Sequence, residues 1–228
     1  MFFSRIFSSH SSRAFLIYPF VMKNLNLHIR PARPEDADAA VPLIYSSGPA
    51  SWDFVFNEGR ITSKEFLTRS FRGTRNTISH KNHFVAETDG EIVGTIVIYT
   101  SSRFLLWNAG TAGNIFRTYG WRAPKVAIRG LTMEGMIQPP KSGCLYLGHI
   151  AVPVSWRKKG IGEALIRFAV STFPEFSKIS LDVSQENPGA KSLYEKVGFK
   201  IVESRKFSGP KGKVPDHYYM EADRSAFS

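Results

Sequence analysis

One cysteine, Cys144, stands in 228 residues. That excludes an intramolecular disulfide framework and suits a reducing compartment. No apolar run approaches the ~20 residues that a helix needs to cross a bilayer. Histidines at metal-ligand spacing occur once, His80 and His83, with no second pair, so a zinc-type centre is not expected. There is no Gly-x-Ser-x-Gly elbow and no Gly-x-x-x-x-Gly-Lys-Ser/Thr loop. Internal repeats and low-complexity tracts are missing too.

Acidic residues are scarce in two places. Residues 1–33 hold five Lys or Arg and no acid, and residues 101–143 hold six against Glu134 alone. Each segment therefore carries +5, leaving +1 of the net +11 for the rest of the chain. Such segments could meet an anionic ligand, a membrane surface or nucleic acid, or form a solvated face. Apolar content of 43% and charged content of 21% place the chain among globular proteins. Its length suits one ordinary domain or two small ones.

Residues 1–24 are read as an N-terminal extension and residues 25–228 as the domain. Arg5, Arg13, the serines and the lack of acid give the extension the composition of a transit peptide. Met22 offers a plainer reading, a translation start that makes the preceding residues an artefact. Leu25 to Arg30 alternates as a strand, and Pro34-Glu35-Asp36 opens a helix with acids in its first turn. Ser46 to Gly59 reads as a loop containing Trp52, Phe54 and Phe56. Thr62 and Glu65 form a capping-box pattern for a helix reaching about Phe71. Asn82–Glu87 and Glu91–Tyr99 read as strands joined at Asp89-Gly90. In residues 101–143, one or two short amphipathic helices are expected, either covering an acceptor site or serving as packing with a basic exterior. Strands at 179–183, 199–207 and 217–221 and a helix at 190–197, stopped by Gly198, complete the chain.

The most informative stretch is Arg157-Lys158-Lys159-Gly160-Ile161-Gly162. It follows the apolar run 145–152 and opens a helix whose Ile161, Ala164, Leu165, Phe168 and Ala169 share one face. Helix-start N–H groups lack intrahelical partners and lie at the positive end of the dipole, so this turn is built to hold a phosphate. Gly160 and Gly162 let it approach the backbone, and three basic residues add charge.

The Arg-x-x-Gly-x-Gly spacing after a strand resembles the acyl-CoA pyrophosphate signature of the GNAT superfamily of N-acyltransferases. A second stretch, Leu181 to Phe199, resembles that family's strand, Asn-x-x-Ala helix with its tyrosine, and closing Gly-Phe. The likeness runs from about Leu25 to Ala222. It implies an α/β (α+β) fold with a mixed, mostly antiparallel sheet flanked by helices, splayed at 145–152 and 179–183. It also implies acetyl-CoA as cosubstrate and direct acetyl transfer to a primary amine. By the same likeness, main-chain groups of Ile150, Ala151 and Val152 bind the pantetheine arm. Asn187 contacts the cofactor and Ala190 lets its helix lie close, although this pair also suits an ordinary helix start. Tyr194 matches the acid that protonates the departing thiolate, with a reference pKa of about 10. Where many relatives carry a carboxylate base, this chain has Leu147-Gly148-His149-Ile150. His149 is then the strong base, with a reference pKa of about 6.5, unless it merely holds a carbonyl. Asp53 and Glu58 are weaker candidates for holding the amine.

The expected partner is an amine acceptor, small molecule or protein, with a homodimer allowed and no specific nucleic-acid binding, since no recognition helix or aromatic platform is seen. Residence is expected to be cytoplasmic, or mitochondrial if residues 1–24 are a transit peptide. The rival reading is a non-catalytic acyl-CoA-binding module that engages an anionic partner.

Overall fold

A computed structural model describes residues 19–22 and 25–227. Among the described residues, eight strands form one sheet in the order β1-β2-β3-β4-β5-β6-β8-β7. They are β1 (Pro19–Met22), β2 (Leu25–Pro31), β3 (His83–Thr88), β4 (Glu91–Tyr99), β5 (Cys144–Ala151), β6 (Lys178–Ser184), β7 (Lys200–Arg205) and β8 (His217–Asp223). Each neighbouring pair is antiparallel except β5 with β6. That parallel pair is held only from Cys144 to Tyr146 against Lys178 to Ser180, and beyond it the two strands part. The expected splay is present. Within the proposed extension, Pro19–Met22 pairs with β2; the readings for residues 1–18 lie outside the described residues.

Strand alternation divides the interior into two layers. Phe84 and Ala86 of β3 face one layer, with Leu165, Phe168 and Leu181, while Val85 faces the other, with Ile44, Phe66 and Phe71. The first layer is covered by α6 (Ile161–Thr172) and α7 (Pro188–Lys196). All five apolar residues expected on one face of α6 are buried. The second layer is covered by α1 (Ala37–Ser46), α2 (Pro49–Phe56), α3 (Ser63–Arg72), α4 (Ser101–Tyr119) and α5 (Ala123–Glu134). The Thr62–Glu65 capping box closes as expected at the start of α3. Asp89 and Gly90 turn the β3–β4 hairpin with φ of 50° and 79°.

Residues 46–59 correct the sequence reading: they contain the helix α2, not a loop. Gly48 is its N-cap and Pro49 its first residue, so the punctuation that suggested a loop starts the helix. Val55 and Phe56 supply the buried face, and Phe56 stacks on Phe66 at 4.2 Å. The two helices of residues 101–143 are also longer than expected, 19 and 12 residues. Glu58 fastens them to the body through Arg122, Lys125 and Arg129 at 3.0, 2.9 and 3.0 Å. Tyr119 adds a hydroxyl bond to the Phe56 carbonyl at 2.6 Å. No helix among the described residues is long and apolar enough to cross a membrane.

Candidate active site

The basic glycine turn sits between β5 and α6. Lys158 (φ 59°) and Gly160 (φ 83°) both occupy the left-handed region, which turns the chain sharply enough to aim the helix start at the sheet's split edge. The N–H groups of Ile161, Gly162 and Glu163 have no partner among the described residues. Glu163, the one acid in that turn, is held by Arg167 and Lys196 at 3.0 and 3.3 Å, which keeps its carboxyl below the usual range and offsets its charge. A Cβ on Gly162 would stand 2.9 Å from Leu193 Cδ2, so this glycine also lets α7 pack closely. Arg157 turns back to donate to the Val152 carbonyl at 3.2 Å. Lys159 points away, its ammonium 4.1 Å from the Trp156 ring centroid.

On β5 a bulge displaces the strand beside this turn. Thr95 pairs with Ala151 but Val97 with Gly148, so β5 spends one extra residue there. His149 lies in the bulge with φ 48°, and its carbonyl accepts from Thr95 Oγ1 at 3.0 Å. The side chain of His149 is fixed by a partner 66 positions away. Its Nδ1 is 3.0 Å from His83 Nε2, and His83 Nδ1 is 2.9 Å from the Ser79 carbonyl. The network sets the tautomers. A carbonyl only accepts, so His83 Nδ1 carries the hydrogen and its Nε2 is a lone pair; His149 Nδ1 must then donate. That leaves Nε2 of neutral His149 unprotonated. Among the described residues it has no hydrogen-bond partner, and it is not sealed from solvent. Burial pushes His149 well below its ordinary value, helped by His83, and pushes His83 down to about 4. Trp52 and Tyr99 meet the His149 ring edge-on at 5.0 and 6.4 Å.

Tyr194 projects from α7, 6% exposed, with its ring edge-on to Phe199. Its hydroxyl has no partner among the described residues, and burial raises its pKa. Asn187 caps α7, its Oδ1 accepting from Ala190 N at 3.1 Å, so the ordinary helix-start role is realised and the amide nitrogen stays available. Sequence reasoning missed Asp182. Its oxygens accept from Tyr146 Oη at 3.1 Å and Arg205 Nη1 at 3.3 Å, and burial lifts it to about 6 against the opposing pull of Arg205.

One cavity of about 960 Å³ joins these groups. It runs through the β5–β6 split, with α6 and α7 at one end and α1, α2, α4 and α5 at the other. Every residue expected in cofactor binding or catalysis lines it except Lys159. Asp53 and Glu58 do not line it either, which removes them as amine holders. Asp53 accepts from Tyr45 and Ser63 at 2.9 and 2.5 Å, and Glu58 is occupied by its three cations. His80, the other half of the His-x-x-His spacing, bonds the Phe71 carbonyl at 2.9 Å.

The sequence profile of the acetyltransferase (GNAT) family matches residues 51–199. An N-alpha-acetyltransferase of Sulfurisphaera tokodaii is 24% identical over 204 residues, 88% of this chain and 90% of that protein. GCN5-related N-acetyltransferase 6, chloroplastic, of Arabidopsis thaliana is 38% identical over 64 residues, 27% of this chain and 22% of that protein's length. In fold, the crystal structure of an acetyltransferase is similar with a TM-score of 0.59 and 22% identity, over 86% of this chain and 98% of that one. An N-acetyltransferase from Staphylococcus aureus Mu50 gives a TM-score of 0.58 and 19% identity over the same shares.

Proposed function

Because the chain belongs to the GNAT family of acetyltransferases, we propose that it transfers the acetyl group of acetyl-CoA to a primary amine. The observation that carries this reading is the single cavity that holds the glycine turn, the unprotonated nitrogen of His149 and the unpartnered hydroxyl of Tyr194. The residues present fit the cosubstrate. The free first-turn N–H groups of α6, with Lys158 and Arg157 beside them, suit its pyrophosphate. The bulged segment Ile150 to Val152 offers main-chain groups to the pantetheine arm and thioester oxygen.

In this mechanism the amine nitrogen attacks the thioester carbon and gives a proton to His149 Nε2. Collapse breaks the carbon–sulfur bond, and the Tyr194 hydroxyl protonates the leaving thiolate. One proton leaves the amine and one reaches sulfur, so His149 and Tyr194 return to their starting states once a proton passes between them through solvent. The low pKa of His149 keeps it in the accepting form throughout the neutral range.

A second base is favoured by one observation: Asp182 lines the same cavity and is lifted to about 6. Thiol release from acetyl-CoA, followed across pH with a panel of primary amines, tests the proposal. His149→Ala should lower turnover about 10²–10⁴-fold. If instead an acidic limb near pH 6 disappears in Asp182→Asn while His149→Ala keeps its activity, the base is Asp182. Tight binding of acetyl-CoA with no amine consumed would favour the binding-module reading.

A further inference from the structure

The end of the cavity remote from the glycine turn lies on the α1–α5 side of the sheet. Trp52, Val55, Phe104, Ile115 and Ile137 form its walls, with Tyr99 beside His149. Leu131 lines the cavity yet is 67% exposed, so the rim is apolar as well. Several polar groups at this end are already engaged. Asn108 donates to Glu134 at 2.8 Å, Thr77 and Thr111 share a bond of 2.9 Å, and the Tyr99 hydroxyl donates to the Thr77 carbonyl at 2.6 Å. Asp182 is held by Tyr146 and Arg205. Of the carboxylates lining that end, Asp182 is paired with a cation, and Glu134 is held by the neutral amide of Asn108. A polycationic acceptor would meet one carboxylate there without a paired cation, Glu134, and a zwitterionic one would meet no lysine or arginine in that lining, while an apolar body would meet apolar walls.

We propose that the acceptor is a primary amine carried on an uncharged apolar body, of the alkylamine or arylalkylamine class, seated beneath α4 and α5. The inference rests on the acetyl-transfer reading. It assigns the long basic connection of the sequence a definite inner face: the charge lies outside and in the Glu58 anchor, and the apolar stripe lies over the substrate.

A homologous series of n-alkylamines tests it, because its members share nearly the same basicity and differ in apolar surface. At saturating acetyl-CoA, kcat/KM should rise about fourfold per added methylene until the pocket is filled. Phenylethylamine should exceed lysine and a short peptide with a free N-terminus. Phe104→Ala, which trims a half-buried wall residue, should flatten the slope and lower phenylethylamine turnover roughly tenfold while leaving acetyl-CoA affinity unchanged. A flat series, or turnover confined to peptide and lysine amines, overturns this inference and leaves acetyl transfer standing. Turnover of none of these amines by a protein that binds acetyl-CoA overturns both.

Discussion

Replacing His83 by phenylalanine keeps a flat ring against His149, where the two imidazoles now stack at 5.2 Å, and removes the acceptor of its Nδ1–H. In the resting protein that acceptor holds the proton on Nδ1. Free imidazole of histidine prefers it on Nε2, which is the nitrogen the mechanism needs bare. In the proposed transfer His149 becomes an imidazolium, and its bond to His83 becomes charge-assisted. Losing such a bond costs roughly 1.5–3 kcal/mol, so kcat should fall roughly 10- to 100-fold. Acetyl-CoA affinity should stay within about twofold of wild type, since His83 does not line the cavity. Thiol release at saturating cosubstrate gives kcat, calorimetry gives the affinity, and ring ¹⁵N shifts give the tautomer. His83→Gln, which restores an acceptor, should recover most of the loss. Wild-type turnover by His83→Phe, or a proton on Nε2 of wild-type His149, would rule out this role for His83.

The same pair sets a pH dependence. His83 titrates near 4 in the fold against 6.5 when unfolded, so its contribution is complete above pH 6.5 and is lost as pH falls towards 4. Asp182 works in the opposite sense between 3.8 and about 6. The clean observable is therefore a difference: denaturant melts should show His83→Phe gaining ~3 kcal/mol relative to wild type between pH 6.5 and 4. Gly162→Ala adds a Cβ against the flexible tip of Leu193 and into the proposed pyrophosphate site, so calorimetry should find acetyl-CoA binding weakened roughly tenfold with the melting temperature nearly unchanged. Glu58→Gln unfastens α4 and α5 from the body, and steady-state kinetics should show the amine KM raised several-fold with acetyl-CoA affinity spared. Equal loss of both would make the anchor purely structural.

Local chemistry made much of this fold legible. The capping box of α3, the Asp89-Gly90 turn and the apolar stripe of α6 are each written within a dozen residues, and all three form as expected. The glycine turn is of the same kind. Helix α2 was hidden because Gly48 and Pro49 serve loops and helix starts alike, and because Trp52, Phe54 and Phe56 alternate as they would in an extended segment. The site was only half legible for a different reason. His83 meets His149 across 66 positions, and Asp182 meets Arg205 across 23. Such pairings depend on sheet register, and no local pattern encodes them. His83 did carry a signal, its His-x-x-His spacing, but that spacing suggests metal, and the fold turns the two rings to separate carbonyls.

Tyr194→Phe isolates the proposed proton donor, because it deletes one oxygen from the cavity and leaves the ring packed on Phe199. The measurement is the single-turnover rate of acetyl-amine formation by mass spectrometry, with acetyl-CoA affinity determined alongside. The rate should fall about 10²–10⁴-fold at nearly unchanged affinity. A Tyr194→Phe protein that acetylates its amine at the wild-type rate would contradict that role.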